Sequence, residues 1–325
     1  LWPYFGSLTA LGYFDASQNT FSSLARLPTD LLGSVCTQMY SFTCESCNLH
    51  GSIPDPLPTL ESANTDGAFG NMVNLQTLQL SGNNLNGSFP LSVERLKNLH
   101  MLSLQDNKIT GSLPSLLFST PTNLKYVYLQ DNMLTGVLPS TSGGRNMIDT
   151  LKLDNNQVSG QIPSTLFSEN LNLRYLTLRN NLLSGAIPES VTRSFAFYAI
   201  LTLDLSHNFL SGQIPSDIGL NNIALENIFL NNNNLVSAFP VSIIALGSLQ
   251  VLDFSNNAIT GNLQTLNDAI IDQSGFYNQL TELRLNNNDF NGELPDKLSL
   301  MLNLIDLDLT NCGASGSIPE SWSSL

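Results

Sequence analysis

Apolar and polar positions follow one pattern that returns along most of the chain. Residues 99–114 read LHMLSLQDNKITGSLP, residues 148–163 read IDTLKLDNNQVSGQIP, and residues 200–215 read ILTLDLSHNFLSGQIP. The shared frame is LxxLxLxxNxLxGxIP. In its LxL part, apolar and polar side chains alternate, which predicts one short strand with a buried face in every copy.

The asparagine of this frame marks each copy. We expect each of these side chains to turn inward after its strand, where it satisfies main-chain groups of its own turn and of the next coil. Cysteine at two of the positions fits the same slot as a small, weakly polar substitute. Twelve residues form this structural ladder, and most neighbours are 24 or 25 residues apart: Asn19, Cys47, Asn83, Asn107, Asn132, Asn156, Asn181, Asn208, Asn233, Asn257, Asn288 and Cys312.

A coil of this length cannot bury its own apolar edge, so the coils must stack with their strands paired in parallel. This predicts a repeat solenoid. No interior boundary or linker is visible, and we therefore expect one domain over residues 1–325. Two copies are long, with insertions near 55–69 and 263–279. The second insertion contains LQTLNDAIIDQ, which predicts one or two helical turns.

The second half of the frame, LxGxIP, resembles the plant-type leucine-rich repeat. That repeat occurs in ectodomains of plant receptor-like kinases and receptor-like proteins and in polygalacturonase inhibitors. The resemblance covers nearly the whole chain. It implies an α/β repeat solenoid, a right-handed superhelix of about 12 coils of 24–25 residues with a parallel β-sheet on the concave face. It also implies a protein of the secretory pathway, extracellular or at the cell surface.

The chain departs from the family pattern in a few places. No cap with a Trp between two Cys precedes residue 36, and the last copy stops partway round a coil, so we expect both ends to be incomplete. Ser237 stands where the frame has Gly, and Gln264 where it has Pro. Each of these two changes is either neutral or the mark of a local change in curvature.

Composition and charge exclude several classes of function. The 325 residues include 59 Leu and 38 Asn, and the net charge is −14, from 26 acidic and 12 basic residues. This charge opposes binding to nucleic acid or to an anionic membrane. The apolar runs are too short for insertion into a membrane. We find no G-x-S-x-G, H-E-x-x-H, P-loop or G-x-G-x-x-G motif, and expect no enzyme activity, cofactor or metal.

The cysteines near the N-terminus invite two interpretations. Cys36, Cys44, Cys47 and His50 form a C-x7-C-x2-C-x2-H string that suits zinc, but the frame points the three cysteines into the core and His50 outward. We expect a disulfide that involves Cys36, with Cys44 as its preferred partner and buried thiols as the alternative. A thioredoxin-like motif at Cys44–Cys47 lacks the required strand-to-helix setting.

Two polar features concern the surface. Asn86-Gly87-Ser88 is the only N-x-[ST] sequon, and Asn86 lies between Leu85 and Gly87 and so faces solvent. Asn86 is therefore a glycosylation candidate if the protein is secreted, with unmodified asparagine as the alternative. Asp306 and Asp308 lie two residues apart on the exposed side of a strand, where we expect solvated carboxylates rather than a cation site.

Basic and aromatic residues concentrate on the exposed strand positions of three successive coils. Stacking these coils predicts a ligand-binding patch on the concave face. Aromatic faces with convergent polar groups suit a carbohydrate or peptide, and arginine suits a carboxylate or sulfate. The alternative is that Asp149 and Asp154 neutralise the bases along the sheet. The predicted patch comprises Lys125, Tyr126, Tyr128, Lys152, Arg174, Tyr175 and Arg179.

Three hypotheses for function follow. The first is a non-catalytic extracellular recognition module that binds a protein, peptide or glycan through its concave face. The second is a structural segment of a cell-surface, cell-wall or filament assembly, whose partners are copies of itself or other subunits. The third, suggested by the resemblance to polygalacturonase inhibitors, is an inhibitor of a secreted hydrolase.

Overall fold

A computed structural model describes most of the chain. The described residues divide into two compact units, 1–159 and 160–325. Both units are built from parallel strands in the leucine-rich-repeat fold. The described ranges are 10–22, 25–27, 37–54, 72–118, 123–140, 147–169, 172–193, 200–218, 224–270 and 279–324.

The first unit contains two parallel sheets, a main sheet formed by the LxL strands and a lateral sheet formed by the residues around the frame glycine. The main sheet has the order β1-β2-β4-β6-β8-β10, and the lateral sheet has the order β3-β5-β7-β9. A 3₁₀ helix spans Leu91–Arg95. The strands are β1 (Tyr13–Asp15), β2 (Ser41–Thr43), β3 (His50–Ser52), β4 (Thr77–Gln79), β5 (Asn84–Ser88), β6 (Met101–Ser103), β7 (Lys108–Ser112), β8 (Tyr126–Tyr128), β9 (Met133–Thr135), β10 (Thr150–Lys152) and β11 (Ser159–Gly160), which reaches the boundary.

The second unit repeats this arrangement. Its main sheet has the order β12-β14-β16-β18-β20-β22, while β13, β15 and β17 pair laterally, as do β19 and β21. The strands are β12 (Tyr175–Thr177), β13 (Leu182–Gly185), β14 (Thr202–Asp204), β15 (Phe209–Gly212), β16 (Asn227–Phe229), β17 (Asn234–Leu235), β18 (Val251–Asp253), β19 (Thr260–Asn262), β20 (Glu282–Arg284), β21 (Asp289–Asn291) and β22 (Asp306–Asp308). The helices are α1 (Thr165–Ser168), α2 (Ser190–Arg193) and α3 (Thr265–Ala269), with 3₁₀ turns at Val241–Ala245, Asp296–Leu300 and Glu320–Ser324.

Alternation along the strands places the core as the sequence predicts. Leu102 and Leu104 are fully buried, and so are Leu151 and Leu153 two coils later. The residues between and beside them form the outward side of the main sheet, which we call the strand face. Because every coil contributes the same apolar edge, burial continues from coil to coil within each unit.

The asparagine ladder runs to the preceding coil, not to the next one as the sequence analysis expected. The side-chain oxygen of Asn107 accepts the N–H of Leu85 at 3.0 Å, and its amide donates to the carbonyl of Leu80 at 3.0 Å. The same amide donates to Leu104 and Gln105 of its own turn. This direction arises because the inward side chain points back towards the turn of the earlier coil, whose buried backbone groups need partners. The pattern repeats at Asn83, Asn132, Asn156, Asn208, Asn233, Asn257 and Asn288.

Asn19 retains part of the ladder pattern. Its amide donates to Ala16 at 2.9 Å and to Ser17 at 3.3 Å, as the amide of Asn107 donates to Leu104 and Gln105 of its own turn. Its side chain is exposed, and among the described residues it makes no bond to an earlier coil. Cys312, in contrast, is buried as a free cysteine in the inward slot.

The predicted disulfide between Cys36 and Cys44 is wrong. Cys44 is bonded to Cys47, with the Cα atoms 5.7 Å apart and both residues fully buried. Cys36 lies outside the described residues. The frame places Cys44 on the strand and Cys47 on the ladder of one turn, and both point into the same core, so their sulfurs meet.

Only the second of the two insertions falls partly within the described residues. The expected helix of the second insertion is present as α3, and the Gln264 amide before it donates to the carbonyl of Leu294 at 3.0 Å. The first insertion, residues 55–69, lies outside the described part of the chain.

Ser237 does not adopt the left-handed conformation of Gly212 at the equivalent position (φ +75°), and β17 ends two residues before it.

Candidate functional site

The first unit brings four of the predicted patch residues together on its strand face. Thr150 pairs with Tyr126, and Lys152 pairs with Tyr128, in the parallel register of β10 and β8. Tyr126, Tyr128 and Lys152 are all half-buried, with their side chains on the outward side of the strands. The expected column of Tyr128 and Lys152 is therefore confirmed.

Charge and aromatic surface are in contact within this group. The Nζ atom of Lys125 lies 5.0 Å from the centre of the Tyr126 ring, a distance suited to a cation–π interaction. Burial, and then the proximity of Tyr126 and Asp149, raises the pKa of the Tyr128 phenol, so Tyr128 remains a neutral donor at physiological pH. Asp149 accepts a hydrogen bond from the Thr150 hydroxyl at 2.9 Å. The face thus combines two phenol rings and two ammonium groups with the nearby carboxylate of Asp149.

The remaining three predicted residues belong to the second unit. Tyr175 is half-buried at the start of β12, and the Arg174 guanidinium lies 5.5 Å from the centre of its ring. Arg174 and Arg179 are exposed. This unit therefore repeats the pairing of a base with the tyrosine that follows it.

Further along the second unit, the strand face is acidic and its charges are largely bonded. Burial raises the pKa of Asp204, although the Ser206 hydroxyl and backbone N–H both donate to its carboxylate. Asp253 is buried and accepts the same two bonds from Ser255. Both carboxylates therefore close the turn after their own strand, a role that the sequence analysis missed.

The acidic pair predicted on the last strand has a basic neighbour. Arg284 forms an ion pair with Asp306. It forms a second ion pair with Glu282, in which Nη2 of Arg284 lies 3.0 Å from Oε2 of Glu282. The hydrogen bond that Arg284 donates to Asp306 is the main reason why the pKa of Arg284 is raised. Asp308 accepts the backbone N–H of Thr310 at 2.9 Å. The register of β20 and β22, read from the repeat, is the signal that could have revealed this pairing.

Other predicted surface features fall where the frame places them. Asn86 is exposed in β5, and Ser88 is exposed on the same side of that strand. His50 is half-buried, and its Nε2 atom lies 3.0 Å from the side-chain oxygen of Asn48.

The described ranges hold no group of three or more His, Cys, Asp or Glu arranged for a metal. Within the same ranges, none of the helices has the length and apolar content needed to cross a membrane.

Comparison with known proteins places these features in a family. Receptor-like protein 35 of Arabidopsis thaliana is 33% identical over 293 residues, which are 89% of this chain and 20% of that protein. Receptor like protein 21 of the same plant is 34% identical over 131 residues, 40% of this chain and 12% of that protein. Family models described as leucine-rich repeats match residues 63–109, 123–144, 172–193, 200–221, 279–301 and 303–325.

Solved structures agree with the sequence relatives. The crystal structure of a TDR receptor is 27% identical with a TM-score of 0.74, and the match covers 99% of this chain and 55% of that one. The Arabidopsis receptor kinase HAESA, in complex with the peptide hormone IDA and the co-receptor SERK1, has the same identity and TM-score over 99% of this chain and 57% of its own.

The repeats, the ladder and these matches define a leucine-rich-repeat protein. The chain belongs to the plant-type leucine-rich-repeat family and is similar to the ectodomains of plant receptors. It spans 12% and 20% of the length of the two receptor-like proteins named above.

Proposed function

We propose that the chain is a non-catalytic extracellular recognition module, and that the strand face of its first unit binds a peptide or protein segment through an acidic group. The observation that carries this proposal is the cluster of Lys125, Tyr126, Tyr128 and Lys152 on two paired strands. Such a cluster is uncommon on this chain, whose basic residues number 12 against 26 acidic ones.

The chemistry of the cluster favours a carboxylate or sulfate beside an apolar group. Tyr126 and Tyr128 offer flat, half-buried rings, and the Tyr128 phenol stays neutral and able to donate. Lys152 makes no hydrogen bond or ion pair with the described residues. Its ammonium group is therefore available to an anionic ligand group, where a charge-assisted hydrogen bond is stronger than a neutral one.

Two further observations support an extracellular binding role. The disulfide of Cys44 and Cys47 is typical of an oxidising compartment. The structural relatives include complexes with peptide hormones, namely HAESA with IDA and RGFR1 with RGF2. We infer a peptide or protein partner from this similarity, and retain a glycan as the less favoured ligand.

A peptide panel tests the proposal. The probes are one tyrosine-containing peptide with a free C-terminal carboxylate, the same peptide amidated, and the amidated peptide with a sulfated tyrosine. We expect the purified protein to bind the two acidic peptides at least 10-fold more tightly than the neutral one in calorimetric titrations. Lys152→Ala and Tyr128→Ala should abolish this preference, whereas Lys108→Ala, on the exposed lateral strand β7, should leave it unchanged. Equal affinity for the three peptides would contradict the proposal.

A second candidate function is a rigid structural segment. In the second unit, the residues that precede three successive ladder positions bond to one another: Asn287 donates to Asn256 at 2.8 Å, and Asn311 donates to Asn287 at 3.2 Å. This uncharged row connects the turns that follow three strands. Under this alternative the native protein sediments as a large assembly, and a monodisperse monomer would argue against it.

A further inference from the structure

The second unit contains a cavity away from its strand face. It has a volume of about 350 Å³ and lies at the end of the lateral strands, between the Ile-Pro or Phe-Pro turns of three successive coils. Ile187, Ile214 and Phe239 line it with buried apolar surface, and Pro215 and Pro240 add flat rings. A volume near the lower end of the usual range for ligand pockets, ~300–1,000 Å³, suits one large side chain rather than a long segment.

Ser237 stands at the frame position of glycine beside this cavity and lacks the left-handed conformation. The lateral pairing nevertheless continues, because the N–H of Val236 donates to the carbonyl of Gly212 at 2.9 Å and the carbonyl of Ser237 accepts the N–H of Thr260 at 2.8 Å. The positions that would otherwise fill the space carry the small side chains of Ala186 and Ala238.

The apolar side of the cavity is rigidly supported. The Phe239 ring packs edge-to-face against Phe254 and against Phe290, with ring centres 5.8 Å apart in both pairs. Phe239 is itself only 8% exposed. A pocket wall fixed by two neighbouring rings does not have to reorganise when a ligand enters, which reduces the entropy cost of binding.

The rim of the cavity is acidic and polar. Glu189 is its one charged lining residue among the described residues, and a smaller adjoining hollow shares Glu189 and Ser216 and adds Asp217. Val236, which precedes Ser237 in the sequence, is 58% exposed and is one of several large apolar residues at the surface.

We propose that this cavity binds a tyrosine or tryptophan side chain presented by a partner protein, with the aromatic ring against Phe239 and the two prolines and the O–H or N–H donor directed to Glu189. An aromatic body matches the apolar wall, and a donor matches the carboxylate oxygens of Glu189 on the rim. The exposed Val236 extends the contact to apolar residues next to the anchor. Such a contact would be independent of the strand face, so a ligand and a partner protein could bind together.

Small neutral probes test the pocket. N-acetyltyrosinamide and N-acetyltryptophanamide should bind the whole protein with millimolar affinity in ligand-observed NMR, and N-acetylphenylalaninamide, which has no donor on its ring, several-fold more weakly. Ala238→Leu fills the cavity from an exposed position and should abolish binding. Ala314→Leu, another exposed alanine of the second unit that does not line the cavity, is the matched control. Glu189→Gln should remove the preference for the donor-bearing rings.

Several outcomes overturn the proposal. The aromatic anchor is wrong if the probes fail to bind at 10 mM, or if Ala238→Leu leaves their binding unchanged. A pentapeptide with tyrosine at its centre should bind at least 5-fold more tightly than the amide, and equal affinity would mean that the pocket takes a free small molecule instead. Self-association that is lost in Ala238→Leu would identify a second copy of the chain as the occupant. None of these results depends on the ligand preference of the first unit.

Discussion

The side-chain oxygen of Asn132 accepts a 2.9 Å hydrogen bond from the backbone N–H of Ile109, which lies one coil earlier. The amide of the same side chain donates to Leu104 of that coil and to Leu129 and Gln130 of its own turn. One buried side chain therefore satisfies four main-chain groups, and it connects two coils in addition to their apolar contacts and strand pairing.

Asn132→Ala should be strongly destabilising for this reason. The substitution leaves the buried N–H of Ile109 without its side-chain acceptor, and an unsatisfied buried group costs about 1–3 kcal/mol. It also removes the bonds that Asn132 donates to Leu129 and Gln130, whereas the carbonyl of Leu104 keeps the bond from Asn107. We expect a loss of about 2–4 kcal/mol in the free energy of unfolding, measured by urea denaturation. Asn123→Ala, at an exposed position of the same coil, is the control and should change stability by less than about 0.5 kcal/mol. Equal effects of the two substitutions would show that the ladder contributes little.

The disulfide gives a second prediction. Closing a loop of four residues stabilises a protein by roughly 2 kcal/mol in the chain-entropy treatment. Reduction with dithiothreitol should therefore lower the melting temperature of the wild-type protein. The double substitution Cys44→Leu and Cys47→Asn restores the repeat frame, and it places the new side-chain amide near the Ala16 carbonyl that now lies 3.2 Å from the Cys47 sulfur. This variant should fold and melt at the same temperature with and without the reductant. A wild-type melting temperature unaffected by reduction would contradict the pairing.

The sequence predicts the fold well because a repeated frame specifies local structure in every copy. Leu102 and Leu104 occupy the core as their alternation requires, and Tyr128 stacks with Lys152 as the coil spacing requires. The pairing of Cys44 was missed because a frame describes positions one at a time and does not state which two inward side chains meet. The direction of the ladder was missed for a related reason: inward orientation follows from the pattern, but the choice between the two neighbouring coils depends on the path of the backbone.

The second unit's candidate sites depend even more on three-dimensional detail. The ion pair of Arg284 with Asp306 is diagonal, because the register opposes Arg284 to Asp308. The repeat therefore brings both carboxylates near Arg284 but does not state which of them it bonds. The cavity beside Ser237 is bounded by the turns of three coils and by the small side chains of Ala186 and Ala238, and none of these residues is informative alone. A sequence pattern marks Ser237 as a departure from the frame but does not reveal a space between three coils.

A pH effect follows from the burial of Asp204. Its pKa is raised in the folded protein, so the folded state holds the proton more tightly than the unfolded state, and stability falls as pH rises from the usual aspartate pKa of 3.8 through the raised value. Asp204→Asn removes this titration while leaving an oxygen for the bonds from Ser206. We expect the variant to gain stability relative to wild type at pH 7 and to gain less at pH 3.5, in thermal melts at both values. Asp308→Asn, which has an equivalent turn bond to Thr310, provides the control. A gain that is the same at both pH values would contradict this assignment.

Glycosylation of Asn86 is the last prediction, and the repeat offers an internal control for it. Asn86 and Ser88 are exposed on the same side of β5, where Asn86 lies between Ser52 of β3 and Lys108 of β7. In the second unit, the exposed Asn291 occupies the equivalent frame position and is also followed by glycine, but the third residue is Glu293. The two sites thus differ at the position that the sequon requires to be serine or threonine.

When the chain is secreted from a eukaryotic host, we expect its intact mass to exceed the sequence mass by one N-linked glycan, removable by a glycan-specific amidase. Asn86→Gln and Ser88→Ala should each eliminate this increment, because each destroys the sequon while changing an exposed side chain. Glu293→Ser creates the sequon at Asn291 and should add a second glycan if exposure on a lateral strand is sufficient. A secreted wild-type protein with the unmodified mass would overturn the assignment of Asn86. If Asn86 is unmodified but the Glu293→Ser variant carries a glycan at Asn291, the glycosylating enzyme can reach a lateral strand. The missing glycan would then be due to the local surroundings of Asn86.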